Sequence, residues 1–483
     1  MPNTFAYIAL ISWPLVAIVI YRMSRMSTLT ATFWVLVGGY LLLPVRTKID
    51  LPLIPPLDQI TIPAISAAVC CILIRKVRIK LLPDGTIMRC LFICLMLAPL
   101  LSAITNPEPM FDGLRQKPGL TYYDAIADTV GNYLKILPLL LGITLVRNTQ
   151  DIVKLLKLLI YAGIAYSPLM LLEIRISPQL HTWVYGFFPH QFTQQIRFDG
   201  FRPVVFLGHG LLVATFIAMV LCATATLWRR KYRISGLPIG LLVIYFAVIL
   251  VLCKAVSAWL LGFGAMLCIL FLPPKVQMRA SIIVTLFIVV YPLLAINGLI
   301  PYQKLIELST IFGSERAHSL AFRFTQESEL LEHAAKKIAF GWGMWGRHQL
   351  SNSISDGHLI GVLGTYGIWG YLTETGLLLS AFIYTVRTAQ RSRDRRAIGV
   401  IAGTMSILML VMIDQIPNSS LTPCFWLLLG GVLGVTSRMH RQALRQRQRI
   451  RLQSINDLVF IGNRRVFAPV NRVHVESLNA GRS

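Results

Sequence analysis

The sequence predicts an all-α protein, a polytopic bundle of about twelve to thirteen transmembrane helices with a large outer loop that contains an amphipathic helix. Three observations carry this. Apolar residues make up 55% of the 483 residues and charged residues 14%, at a mean hydropathy of +0.64. Apolar runs near twenty residues recur, the length that crosses a roughly 30 Å hydrocarbon core at 1.5 Å per residue. The runs are continuous rather than alternating. Lipid offers the backbone no partner, so such runs must be helices and not strands of a barrel.

In chain order the spans are expected at 5–21, 28–44, 58–74, 88–104, 125–146, 155–176, 204–227, 237–253, 257–273, 280–298, 359–386, 397–416 and 421–437. The first is read as a retained span and not a signal peptide: Arg22 and Arg25 follow it, and no small-residue cleavage site does. Reassigning 58–74, which begins at Asp58, or the pair around Lys254 gives the twelve-span variant. With thirteen spans, Lys and Arg crowd alternate loops: Arg22/Arg25, Arg75 to Lys80, Arg147/Lys154/Lys157, Arg229 to Arg233, Lys275/Arg279, Arg387 to Arg396 and the tail. Nearly all of the net charge of +25 then falls on one side. That is the positive-inside pattern of a cytoplasmic face, so the charge reports topology and excludes a nucleic-acid footprint. The eight cysteines lie inside or at the ends of apolar runs with no metal spacing, so neither a disulfide framework nor a metal site is expected.

Four regions follow: N-terminal spans 1–176, a core 177–386 with two long outer loops, C-terminal spans 387–437, and a basic cytoplasmic tail 438–483 suited to anionic lipid. In the second long loop, residues 319–340 have helical periodicity. Leu320, Phe324, Leu331, Ala335 and Ile338 make an apolar stripe, with Arg323, Glu327, His333 and Lys337 elsewhere around it. Such a helix lies on the membrane or roofs the bundle, and the glycines of GWGMWG (341–346) end it.

Polar residues near the outer side are the candidates for chemistry. Lys254 interrupts an apolar run, as a hairpin lysine or as a cation aimed into a cavity. Asp124, Asp128 and Lys135 share a helical register, as an internal ion-pair network or a polar pocket. The two outer loops supply Arg197, Arg202 and His209, then Arg323, Glu327 and Arg347, then Asp356 and His358 where the eleventh span begins. Guanidinium groups bind phosphate oxygens bidentately, and a carboxylate or imidazole nearby can take a proton from a sugar hydroxyl. The same residue types would also suit outer-loop arginines on lipid headgroups with acidic residues balancing them.

At these residues the chain resembles the O-antigen ligase and polymerase superfamily of bacterial membrane glycosyltransferases. Arg197, Gly200 and Arg202 match its first element, and Cys253-Lys254-Ala255 takes its hairpin position. Arg323 lies eighteen residues before Gly341 of Gly341-Trp342-Gly343, and Asp356 lies eleven before Gly367. Two departures stand out: Lys254 replaces an arginine, and spacing puts Asp356, not His358, where the family often has histidine. The resemblance implies an inner-membrane enzyme without cofactor or metal, whose donor is an oligosaccharide on undecaprenyl diphosphate at the periplasmic leaflet. Arg202 and Arg323, with Arg197 and Lys254, would clamp the diphosphate, and Asp356 or His358 would act on the acceptor hydroxyl. Glu327, Arg347 and His209 are secondary candidates. The implied partners are the lipid-linked donor, a glycan acceptor, membrane lipids and other polysaccharide assembly proteins. Departure from the histidine pattern favours a polymerase over a ligase that uses lipid A-core. A transporter is the competing class, against which stand the absence of an internal repeat and the gathering of polar residues in outer loops.

Overall fold

The computed structural model describes residues 1–466 other than 24, 52–53, 114, 235, 237, 351–352, 354–356 and 393; side-chain description stops before 449 and omits 312, 315, 316 and 447. The chain divides into two compact units, 1–437 and 438–483. It is helical almost throughout. The first group of helices is α1 (Thr4–Arg22), α2 (Thr28–Leu42), α3 (Thr61–Leu73) and α4 (Thr86–Ile104). A small hairpin, β1 (Met110–Asp112) and β2 (Arg115–Lys117), leads to α5 (Tyr122–Leu145), α6 (Thr149–Ile176) and the short α7 (Leu180–Tyr185). A second hairpin, β3 (Ile196–Arg197) and β4 (Gly200–Phe201), precedes α8 (Gly210–Arg229), α9 (Ile239–Leu252), α10 (Val256–Phe271) and α11 (Pro274–Ile296). The second long loop carries α12 (Tyr302–Ser309) and α13 (Ser314–Ala335), and α14 (His358–Gln390), α15 (Arg395–Asp414) and α16 (Pro423–Val466) close the chain.

Every expected span meets one of these helices. Among the described residues seven helices are long and apolar enough to cross a membrane, and α2, α3, α9 and α10 are shorter apolar helices. Their ends follow local chemistry. Thr121 with Asp124 and Asn148 with Asp151 form capping boxes that satisfy the first amides of α5 and α6. Between helices, small residues let backbones approach. Side chains at Gly142, Gly430 or Gly434 would collide with the facing backbone of α16 or α5.

The pairing of α8 with α15 sets the polarity of the bundle. Arg230, just past α8, lies over Gly399, Thr226 lies over Gly403, and Thr215 bonds Asp414. The two helices therefore run antiparallel, with the start of α8 and the end of α15 at the pole opposite Arg229, Arg230, Arg395 and Arg396.

Two expectations are corrected. The surface helix is α13, ending at Ala335, so Ile338 lies beyond it and Ala335 is exposed. Its buried seam runs through Ala317, Gln326, Leu330, Leu331, His333 and Ala334, and it takes in the histidine that the periodicity placed elsewhere.

The expected span at 359–386 is not one straight rod. At Gly367 the backbone has φ 64 and ψ −163, outside the helical region. His358 bonds Glu374 at 2.6 Å, although sixteen residues of straight helix would separate them by about 24 Å. The chain therefore reverses at Gly367, and 358–366 folds back along the start of 368–390. The Gly341-Trp342-Gly343 turn clasps this reversal. Trp342 and Gly343 amides donate to the Gly364 and Thr365 carbonyls, and Ile368 and Trp369 amides donate to Ile338 and Ala339. A Cβ at Gly341 or Gly367 would collide with the opposing backbone, so both glycines are required by close approach as well as by positive φ.

Candidate functional site

The segment that enters α8 is built by its neighbours. In the β3–β4 hairpin Arg197 pairs with Gly200, and the turn residues Phe198 and Asp199 both adopt positive φ, 50° and 52°. The Lys254 ammonium donates to the Phe198 carbonyl at 3.0 Å, and it occupies the space a side chain at Gly200 would need. Phe198 stacks on Trp259. The two motifs that the sequence singled out separately, Arg197 to Arg202 and Cys253-Lys254-Ala255, are thus one assembly. Lys254 is its strut, bonded to backbone. Glu173, wholly buried near the end of α6, accepts the amides of Leu180, Val204 and Val205 at 2.7–2.9 Å and fixes the turn that follows Arg202.

Arg202 is 4% exposed, and its amide donates to Gln195 across the hairpin. Gln195 is fully buried, and neither end of its amide has a protein partner among the described residues. His209 caps α8: its Nδ1 accepts the Leu211 amide at 3.0 Å, and its ring lies edge-on to that of His190. Burial first, then the charges of Arg202, His190, Arg323 and Arg46, push the His209 imidazole down to about 3. Three arginines from three distant segments therefore act on this imidazole, and all oppose its protonation. Arg46 is brought there by Val45, which packs against Gly208 beside His209.

Arg323 links this cluster to a second one, for its charge also reaches Asp414 at the end of α15. Asp414 accepts from Thr215 Oγ1 at 3.1 Å and Asn418 Nδ2 at 2.7 Å. The His358 amide donates to the carbonyls of Gln415 and Asn418 at 3.1 Å each. Its ring is held between Glu374 Oε1, 2.6 Å from Nε2, and Ser419 Oγ, 3.3 Å from Nδ1.

Not every expected site residue joins these clusters. Arg347, 2% exposed, donates through Nε and Nη1 to the carbonyls of Trp342, Glu108 and Pro118, so it stitches the glycine turn to the 106–121 loop. Burial holds its guanidinium below the ordinary range. Glu327 accepts the hydroxyls of Tyr291 and Tyr302 at 2.6 and 3.2 Å, pinning α13 to α11 and α12, and burial raises its carboxyl. Both are scaffold residues. Asp124 caps α5 and accepts from Trp345 Nε1, and Asp128 accepts the Tyr366 hydroxyl at 2.6 Å beside the reversal. Asp356 lies outside the described residues. Among the described residues no group of three His, Cys, Asp or Glu could hold a metal ion.

Sequence reasoning missed Arg46, Glu173, Gln195, Glu374 and Asp414. For Glu173, Glu374 and Asp414 the signal was present: a lone carboxylate within an apolar helix demands a partner. What the geometry can do is hold a polyanion against several guanidinium groups and offer a fixed imidazole next to it. Compared with known proteins, the chain matches no protein-family model and no curated protein.

Proposed function

We propose that the protein is a membrane glycosyltransferase that polymerises a surface polysaccharide, using an oligosaccharide carried on undecaprenyl diphosphate at the periplasmic leaflet. The observation that supports this reading is that Arg46, Arg202 and Arg323 all act on His209 at the start of α8, at the same end of α15 as His358 and opposite Arg229, Arg230, Arg395 and Arg396. Arginines at such a place suit a doubly charged phosphate leaving group, whose developing charge they stabilise in the transition state. His358 would take the proton of the acceptor hydroxyl. The charge asymmetry supports a topology with this pole outside, and the resemblance in motif order supports the bacterial inner membrane as its location. The resemblance in motif order supplies the donor class, and departure from the histidine pattern at Asp356 favours chain growth over transfer to lipid A-core.

The test is deletion of the gene, followed by sizing of the surface polysaccharide and of the lipid-linked intermediates. Loss of polymer with accumulation of a single-repeat lipid is expected. Intact lipid-linked polymer that never reaches lipid A would make the protein a ligase. Repeat units trapped on the cytoplasmic side would make it a transporter.

A further inference from the structure

Glu374 stands in the descending arm of α14 with its side chain 12% exposed, and a carboxylate at such depth is costly unless paired. Its partner is His358 Nε2 at 2.6 Å, across the reversal at Gly367. Nothing in a straight span would bring these two together. A carboxylate accepts and does not donate, so in the neutral ring Nε2 carries the hydrogen and Nδ1 is the acceptor. Nδ1 faces Ser419 Oγ at 3.3 Å, and Ser419 is the exposed residue of the otherwise largely buried loop between α15 and α16. The His358 amide is tied separately to the Gln415 and Asn418 carbonyls, so the arm stays anchored without help from Glu374.

We propose that Glu374 is a positioning residue of the transfer reaction: it holds His358 as the Nε2–H tautomer, so that Nδ1 receives the acceptor proton at the place marked by Ser419 Oγ. This rests on the glycosyl-transfer reading. The acceptor oxygen bonds the anomeric carbon as the bond from that carbon to the diphosphate oxygen breaks, and the electron pair leaves with the phosphate. The hydroxyl proton passes to Nδ1, and the Glu374 carboxylate balances the imidazolium charge. Among the described residues, the groups that bond the ring are Glu374 and Ser419, and Tyr371 and Gln415 line the small cavity beside it. Removing an orienting carboxylate of this kind slows proton transfer by a factor on the order of 100 or more.

The test has two readouts. In the purified protein with 15N-labelled histidine, the His358 signals are assigned by their loss in His358→Gln. Wild type is expected to show Nε2 protonated and Nδ1 free of hydrogen, and Glu374→Met is expected to shift the ring to a mixture of tautomers. Nδ1 protonated in wild type would overturn the proposal without any variant. The second readout is transfer from a lipid-linked repeat in vitro. Glu374→Met is expected to be about 100-fold slower, and no slower still when combined with His358→Gln, because it acts through that ring. Additive losses would make Glu374 a strut and overturn the role. An inactive wild type with the expected tautomer would refute the glycosyl-transfer reading and leave the His358 geometry standing.

Discussion

Arg347 and Arg202 are both almost wholly buried, at 2% and 4% exposure, and both lie in segments marked in the sequence for phosphate binding. Their surroundings differ. Arg347 is closed off by three backbone carbonyls from two loops. Arg202 shares its neighbourhood with Arg46, Arg323 and two histidines, where cations repel and an anion is welcome. Residue type and burial are the same at both places, and the neighbours differ: backbone carbonyls take up the Nε and Nη1 hydrogens of Arg347, whereas Arg202 stands in a field to which other cations contribute, and such a field attracts an anion.

The largest expected effect breaks or keeps this contrast at the site. Arg202→Lys or Arg323→Lys should lower polymer formation about 100-fold, roughly 3 kcal/mol of transition-state stabilisation, with membrane insertion and protein level unchanged. Lysine keeps the charge and loses the fork, so wild-type activity in both variants would falsify the clamp. The second effect falls on the scaffold. Arg347→Lys loses most of its three carbonyl contacts and should cost about 2–3 kcal/mol, read as a lower Tm in detergent, with activity per folded molecule within about threefold of wild type. A stable but inactive Arg347→Lys would move that residue into the site. Lys254→Met should do less, about fivefold in rate, since it removes one charge-assisted bond to Phe198 and loosens the hairpin under Arg202.

The smallest effect sharpens the electrostatics. His209 in the folded protein titrates at about 3, below its unfolded value near 6.5, because burial and the arginines oppose a further charge. The unfolded chain takes up this proton first as pH falls. The stability that neutral His209 contributes is therefore fully present above about pH 6.5 and is lost as pH drops towards 3. A Tm scan over that window should decline less steeply in His209→Gln than in wild type. Equal slopes would mean that neither burial nor the nearby charges hold this imidazole below its unfolded value.

The spans were legible because continuous apolar runs leave the chain one option in lipid, and each spanning helix begins within about six residues of its expected place, although α16 runs on to Val466, far past the expected end at 437. Alternation of basic loops likewise anticipated which helix ends share a pole. The order of the motifs along the chain marked the hairpin of Arg202 and the segment of Lys254, which meet at Phe198 and Gly200, but not Lys254 serving as a strut, since the acceptor carbonyl at Phe198 exists only once the hairpin has turned. Arg347 was misread for the same reason: its acceptors at Glu108 and Pro118 come from a loop far away in sequence. Gly367 was visible as a motif glycine. Its consequence was not, because glycine is common within membrane helices and only a positive φ makes it a reversal.

That reversal bears on how the protein is made. Residues 358–390 emerge as a single apolar stretch, about 50 Å long if kept straight, well beyond what the bilayer accepts. The backbone partners that hold its first arm, the carbonyls of Gln415 and Asn418, are synthesised only after α15 has been translated. Until then His358 has no anchor for its amide, and the clasp at Gly341 and Gly343 must hold the fold-back alone. The His358 end of the candidate site is therefore among the last parts of the molecule to be completed, and a nascent chain ending before Asp414 would lack the carbonyls that anchor it.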